Sequence, residues 1–292
     1  MLSYFKNPKI VLVFTLLLVV PFVAYNLFLG QKLDRVLSEK TTIDQSPFIS
    51  SSPRPTPTPN PSLTPTPLSS VALAKEDKPS KSTYTIAVIG DSMVDTMGEN
   101  LDYLKESLRV RYRETYFNFY NYGIGGQNVA QGLDRFNQSF TYQTRNYLPI
   151  GEISADIIIV ASFAYNPFSP HNRDQHWLTL TKLVTTAKQT GADVYMLAEI
   201  APLATGFGDG PGGINWPPDL ANQQAENVRQ QLENAVSLSR SLGIPLINAY
   251  GKSTVDSQFG DRVYISAHDG IHPSVEGHLL MADLIAQTIV LK

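Results

Sequence analysis

The sequence has no cysteine in its 292 residues. That absence excludes disulfides, cysteine-ligated zinc and thiol catalysis, and leaves the redox compartment open. There is also no basic excess. Lys and Arg number 23 against 26 Asp and Glu, for a net charge of −3, so nothing marks the chain as a nucleic-acid partner. No internal repeat recurs along it. What it does have is apolar mass: 42% hydrophobic residues, with 14 Tyr and 13 Phe. That suffices for a sizeable core, and the length allows one large domain or two small ones.

Only one long apolar run occurs. After a short tail at 1–9, Ile10 to Leu29 reads almost without polar interruption. About 20 residues at ~1.5 Å rise cross a ~30 Å hydrocarbon core, and Pro21 is tolerable in such a helix. A cleaved leader would have a shorter apolar region, roughly 7–15 residues, and no small-x-small site directly follows. Residues 10–30 are therefore expected to be an uncleaved, single-pass anchor in the cell membrane. Lys6 and Lys9 precede the run, while Lys32, Arg35 and Lys40 follow it, so the positive-inside count does not orient it. The short amino tail and the character of the next segment favour an extracytoplasmic bulk. That segment, 31–82, begins as a polar connector and becomes rich in Pro, Thr and Ser, as in Pro53-Arg54-Pro55-Thr56-Pro57. With few donors and little to bury, it reads as a disordered, semi-extended tether.

From residue 83 to 292 the pattern changes to strands alternating with helices. Strands are expected at Thr85–Ile89, Tyr116–Tyr122, Asp156–Ala161, Ala192–Ile200 and Ile244–Ala249. Helices are expected at Gly98–Arg113, Val129 toward Asn146, His171–Thr190, Asp219–Leu242 and Ser274–Leu291. Asp219 and Ser274 are read as N-caps, and Gly191 and Gly243 as stops. In the last helix, Val275, Leu279, Leu280 and Leu284 are assigned to one face. The alternation predicts a single three-layer α/β/α domain with a five-stranded, mostly parallel sheet.

The chain is organised around Thr85-Ile86-Ala87-Val88-Ile89-Gly90-Asp91-Ser92. An apolar run of this kind reads as a strand buried on both faces. Ser92 then falls just past its carboxyl end, the edge where open α/β sheets bind ligands. A serine hydroxyl needs a base, and the base needs an orienting carboxylate. Asp269-Gly270-Ile271-His272-Pro273 offers both in one loop. Two further strand ends carry Asn121-Tyr122-Gly123-Ile124-Gly125-Gly126 and Ser162-Phe163-Ala164-Tyr165-Asn166. The Gly-x-Ser-x-Gly elbow of α/β-hydrolases is not met, because Val94 occupies its fifth position.

These four blocks, in this order, resemble the SGNH hydrolases of the GDSL esterase/lipase superfamily. The resemblance implies a flavodoxin-like fold and a serine nucleophile, Ser92, with Asp269 and His272 completing a triad. It also implies an oxyanion hole from the backbone N–H groups of Ser92 and Gly126 and the Asn166 amide, with Gly125 as an alternative to Gly126. The third block departs from the family's Gly-x-Asn-Asp, setting Asn166 late, so the loop must be reshaped if that amide is to serve. No cofactor or metal is implied. The expected activity is hydrolysis of acyl esters, O-acetyl groups included. The anchor adds cell-envelope polysaccharide as the expected substrate carrier. The alternatives are a non-catalytic glycan-binding module on the same fold and an acyltransferase. Asp91 is read as a turn brace, Asp95 and Glu99 as helix caps, Asn121 and Gly123 as turn residues, His268 as bystander or structural, and His278 as solvent-facing or packing, with no metal cluster assigned to His171 and His176. The 202–218 loop, with Phe207 and Trp216, is read as either pocket lining or a flexible connection.

Overall fold

The computed structural model describes residues 79–292. The expected anchor at 10–30 and nearly all of the 31–82 tether lie outside the described residues. Among the described residues, no helix is long and apolar enough to cross a membrane.

In chain order the strands are β1 (Thr83–Gly90), β2 (Tyr116–Gly123), β3 (Phe140–Tyr142), β4 (Arg145–Tyr147), β5 (Ile157–Ala161), β6 (Asp193–Ala198) and β7 (Leu246–Asn248). The helices are α1 (Ser92–Asp95), α2 (Asp102–Arg111), α3 (Val129–Arg135), α4 (Arg173–Gln189), α5 (Pro218–Leu242), α6 (Ala249–Ser253) and α7 (Val275–Thr288). Five strands form one sheet in the order β2-β1-β5-β6-β7, every pair parallel. Ile86, Ala87, Val88 and Ile89 in β1 are fully buried, as are Ile158, Ile159 and Val160 in β5. Both faces of these strands are covered, the condition under which continuous apolar runs form parallel sheets. Helix α2 packs on α7, while α4 packs against both α3 and α5, giving the expected three layers. From β1 the chain steps to β2 on one side and later to β5 on the other. The reversal opens a crevice at the carboxyl ends of β1 and β5.

Four local expectations are corrected. The helix expected from Gly98 begins only at Asp102, because Leu101 just before it adopts a left-handed φ of 50°. The helix expected to reach Asn146 stops at Arg135, and residues 140–147 form an antiparallel β3–β4 hairpin instead. Its alternating aromatics explain this: Phe140 stacks on Tyr147 at 4.6 Å, and Tyr122 packs on both. Helix α5 starts at Pro218 after Pro217, so Asp219 lies in the first turn and is not the cap. In α7 the buried stripe is Gly277, His278, Met281, Ala282 and Ile285, whereas Val275 and Leu279 are exposed. Ser274 does cap α7, accepting the Gly277 N–H at 3.1 Å.

Candidate active site

Ser92 opens α1 directly behind β1. The carboxylate of Asp91 caps that turn by accepting the Met93 N–H at 3.0 Å. Asp91 is fully buried. Burial pushes its carboxyl up, against donors from Met93 and Asn166 and the charge of His272. The nearby Arg135 guanidinium is also buried; burial lowers its pKa to about 10, leaving it cationic at neutral pH. It donates to Gly90 O at 2.8 Å and to Gln127 Oε1 at 2.7 Å, bracing the end of β1.

At the end of β2, Asn121 is a structural turn residue. Its amide donates to Val94 O at 3.0 Å and Gly98 O at 2.8 Å, and its Oδ1 accepts the Gly123 N–H at 2.8 Å. A Cβ on Gly123 would lie 2.2 Å from Asp95 N, so this contact requires glycine. The two following glycines differ. The Gly125 N–H donates to Tyr142 Oη at 3.3 Å. Gly126 has a φ of 75° and would meet nothing within 4 Å if it carried a Cβ. Asp95 caps no helix. Its carboxylate takes the Tyr142 hydroxyl at 3.0 Å and the Arg145 guanidinium at 2.5 Å.

At the end of β5 the third block is reshaped. Phe163 takes a left-handed φ of 58°, and the turn returns Asn166 to the crevice. Its Nδ2 donates to Asp91 Oδ2 at 3.0 Å.

The fourth block lies in a loop pinned at its ends. Ile265 and Pro273 form a bridge, and the Ser266 N–H donates to His272 O at 2.8 Å. Within it, His272 Nδ1 lies 2.9 Å from Asp269 Oδ2. Asp269 Oδ1 accepts the N–H groups of Ile271 at 2.8 Å and His272 at 2.9 Å. Burial alone would raise the Asp269 carboxyl. The bonds from the His272 ring and the two backbone N–H groups outweigh it and hold the carboxyl below the ordinary range. The ring nitrogen facing Asp269 thus carries a proton, which leaves Nε2 as the basic one.

Ser92, Gly126, Asn166 and His272 line one cavity of about 540 Å³. Its walls include Tyr165, Phe207 and Trp216, the last two stacked at 6.1 Å and 11°. The 202–218 loop that supplies Phe207 and Trp216 is a packed element. The Gly208 N–H donates to Gly270 O at 3.2 Å and the Gly212 N–H to His268 O at 2.8 Å. It buttresses the Asp269–His272 loop by backbone contact. Among the described residues, no group of His, Asp and Glu side chains could hold a metal ion.

Sequence reasoning did not single out Glu199, Tyr142, Arg145 or Arg135. Glu199 left one trace, a carboxylate closing the apolar run Val194-Tyr195-Met196-Leu197-Ala198. The hairpin residues left none, because their region read as helix.

The fold is a three-layer α/β/α domain on a parallel sheet, with Ser92 and the Asp269-bonded His272 at the carboxyl edge of that sheet. The chain belongs to the GDSL-like Lipase/Acylhydrolase family, whose model matches residues 88–280. It is accordingly a carboxylic ester hydrolase of the SGNH/GDSL type. Similar solved structures include a lipase/acylhydrolase from Enterococcus faecalis, 15% identical over 70% of this chain and 94% of that one, with a TM-score of 0.52. A GDSL-like lipase from Bacteroides thetaiotaomicron is 18% identical over 70% and 86%, with a TM-score of 0.50. The acetyl xylan esterase AlAXEase is 13% identical over 70% and 98%, also with a TM-score of 0.50. At these identities the likeness is one of fold. No curated protein matches the sequence.

Proposed function

We propose that the protein is a membrane-tethered serine esterase that removes short acyl groups, O-acetyl above all, from cell-envelope carbohydrate. In this reading His272 Nε2 takes the Ser92 proton while Asp269 holds the ring and stabilises the imidazolium. Ser92 Oγ attacks the ester carbonyl, and the backbone N–H groups of Ser92 and Gly126 and the Asn166 amide receive the oxyanion. Collapse of the tetrahedral species releases the alcohol, protonated by His272. Water, activated by the same histidine, then frees the acid and restores Ser92.

The observation that carries this reading is the convergence of Ser92, Gly126, Asn166 and His272 on one cavity, with His272 bonded to Asp269 at 2.9 Å. Gly126 is favoured over Gly125 because the Gly125 N–H already has a partner in Tyr142. For a carbohydrate carrier the support is the stacked Phe207–Trp216 wall beside the amides of Asn128 and Gln224. Aromatic faces and amides suit a sugar ring with its hydroxyls. An esterase named for acetyl xylan shares the fold. The tether rests on the apolar run at 10–30 and the Pro-rich stretch that follows.

The test is full-length protein with a fluorophosphonate probe, short-chain nitrophenyl esters and acetylated polysaccharide. Labelling and turnover that vanish in Ser92→Ala are expected, with acetyl esters cleaved faster than octanoyl ones. Acyl transfer to an added glycan in place of acid release would establish the transferase alternative. A folded wild type that neither labels nor turns over would overturn the esterase reading.

A further inference from the structure

Ser162 has all three of its polar groups held by buried partners. Its N–H donates to Glu199 Oε1 at 3.0 Å, and its hydroxyl donates to Glu199 Oε2. Its carbonyl accepts Nε2–H of His176 at 2.8 Å. The tautomer follows from the other side of the ring, where the Asn234 amide donates to Nδ1 at 3.3 Å. Glu199 and His176 are both fully buried. Ser162 Oγ in turn accepts the Ala164 N–H at 3.1 Å.

The turn that follows is one the backbone would not choose. Phe163 is left-handed and its ring is fully buried. The ring packs so tightly on α3 that a Cβ on Gly132 would sit 2.4 Å from it. A non-glycine residue in this region costs about 1–3 kcal/mol and persists only where its surroundings fix it. Ala164 has no polar side chain to do so. The fixing groups come from just past the end of the neighbouring strand β6: Glu199 grips Ser162, and Ile200 O accepts the Tyr165 hydroxyl at 2.9 Å. The turn ends with Asn166 donating to Asp91 and bordering the cavity.

We propose that Glu199 is a positioning residue: by clamping Ser162 it holds the 162–166 turn in the form that delivers the Asn166 amide to Asp91 and the cavity. The late asparagine of the third block is thereby brought into range by a carboxyl group from the loop that follows β6. This inference rests on the esterase reading, in which Asn166 receives the oxyanion.

The test is a double-mutant cycle in the full-length protein, read as kcat and KM on nitrophenyl acetate. Loss of one oxyanion donor costs about 10²–10³-fold in kcat elsewhere, and Asn166→Ala is expected in that range. Glu199→Ala should lower kcat by roughly 10- to 100-fold with KM changed by less than about threefold. Because Glu199 acts through Asn166, the double variant should be no slower than Asn166→Ala alone. Glu199→Gln, which keeps a carbonyl for the Ser162 N–H, should retain most of kcat. Losses that multiply in the double variant, or wild-type kcat in a folded Glu199→Ala, would overturn the proposal. If Glu199→Ala does not fold, Ser162→Ala takes its place in the cycle with the same expected masking. Crystal structures give a readout independent of turnover. The Asn166–Asp91 hydrogen bond should be broken in Glu199→Ala, or in Ser162→Ala, and kept in Glu199→Gln. An inactive wild type would sink the esterase reading, while those structures still decide the role of Glu199.

Discussion

The Tyr142 hydroxyl donates to Asp95 Oδ2 at 3.0 Å and accepts the Gly125 N–H at 3.3 Å. One phenol thus joins the helix that begins with Ser92 to the loop that carries Gly126, with Arg145 holding the other Asp95 oxygen. Tyr142→Phe removes both links while keeping the ring. Each net hydrogen bond is worth about 1 kcal/mol, so losing both should lower kcat by up to about 30-fold with KM little changed. Steady-state kinetics on a short-chain ester measure the split, and a rise in KM alone would assign Tyr142 to substrate binding.

The proposed triad makes a sharper prediction. Asp269→Asn keeps the size of the side chain but alters its bond to His272 Nδ1 and favours the wrong tautomer. The expected loss in kcat is about 10³- to 10⁴-fold, with an unchanged melting temperature. A loss under tenfold would mean that Asp269 does not orient the base.

Two glycines should behave oppositely. Gly270 has a φ of 67°, and a Cβ there would lie 2.5 Å from Gly206 O. Gly270→Ala should therefore cost about 2 kcal/mol or more in stability. It should also lower kcat, because the loop that must shift carries His272. At Gly151 a Cβ meets nothing within 4 Å, and alanine there should stay within about 0.5 kcal/mol of wild type. Urea unfolding of both variants beside the parent checks the contrast.

Burial moves Glu199 and His176 in opposite directions along the pH axis. Desolvation first, then the charge of Asp91, pushes the Glu199 carboxyl up to about 8. The unfolded group releases its proton near 4.5, so this stabilising contribution is complete below that pH and is lost as pH rises from 4.5 through 8. Desolvation lowers His176 to about 4. Its neutral form is favoured in the fold, so its contribution is complete above 6.5 and is lost as pH falls from 6.5 toward 4. Glu199→Gln cannot ionise. Wild type should therefore lose stability relative to this variant by up to about 1.4 kcal/mol per pH unit between pH 5 and 8. Chemical denaturation at pH 5, 6.5 and 8 measures the difference, and a constant gap would show that Glu199 is already ionised at pH 5. His176→Gln should show the reverse trend, its deficit shrinking as pH falls from 6.5.

Much of the site could be read in the sequence because its parts are local. The apolar run into Asp91-Ser92 has one conformation open to it, a buried strand leading to a tight turn. Asp269 and His272 sit three residues apart, and their bond is made inside one loop. The hairpin at 140–147 was hidden because its stabilising contacts are aromatic pairs with Tyr122, far back in the chain. The buried stripe of α7 was displaced from the expected one because α2, which it packs against, selects the face.

By itself, then, the sequence determined the alternation of strands and helices, the parallel sheet they build and the four blocks at its carboxyl edge. Each depends on the character of a short stretch. Only the tertiary structure decided how the blocks meet. Glu199 reaches Ser162 across 37 residues, and Asn166 reaches Asp91 across 75. The glycines at 206–213 have no side chains to announce a partner; the fold sets them against backbone at Gly270 and His268 and against the side chains of Arg262, Trp216 and His268. Such contacts form only where buried polar groups must find partners once the sheet has brought them together.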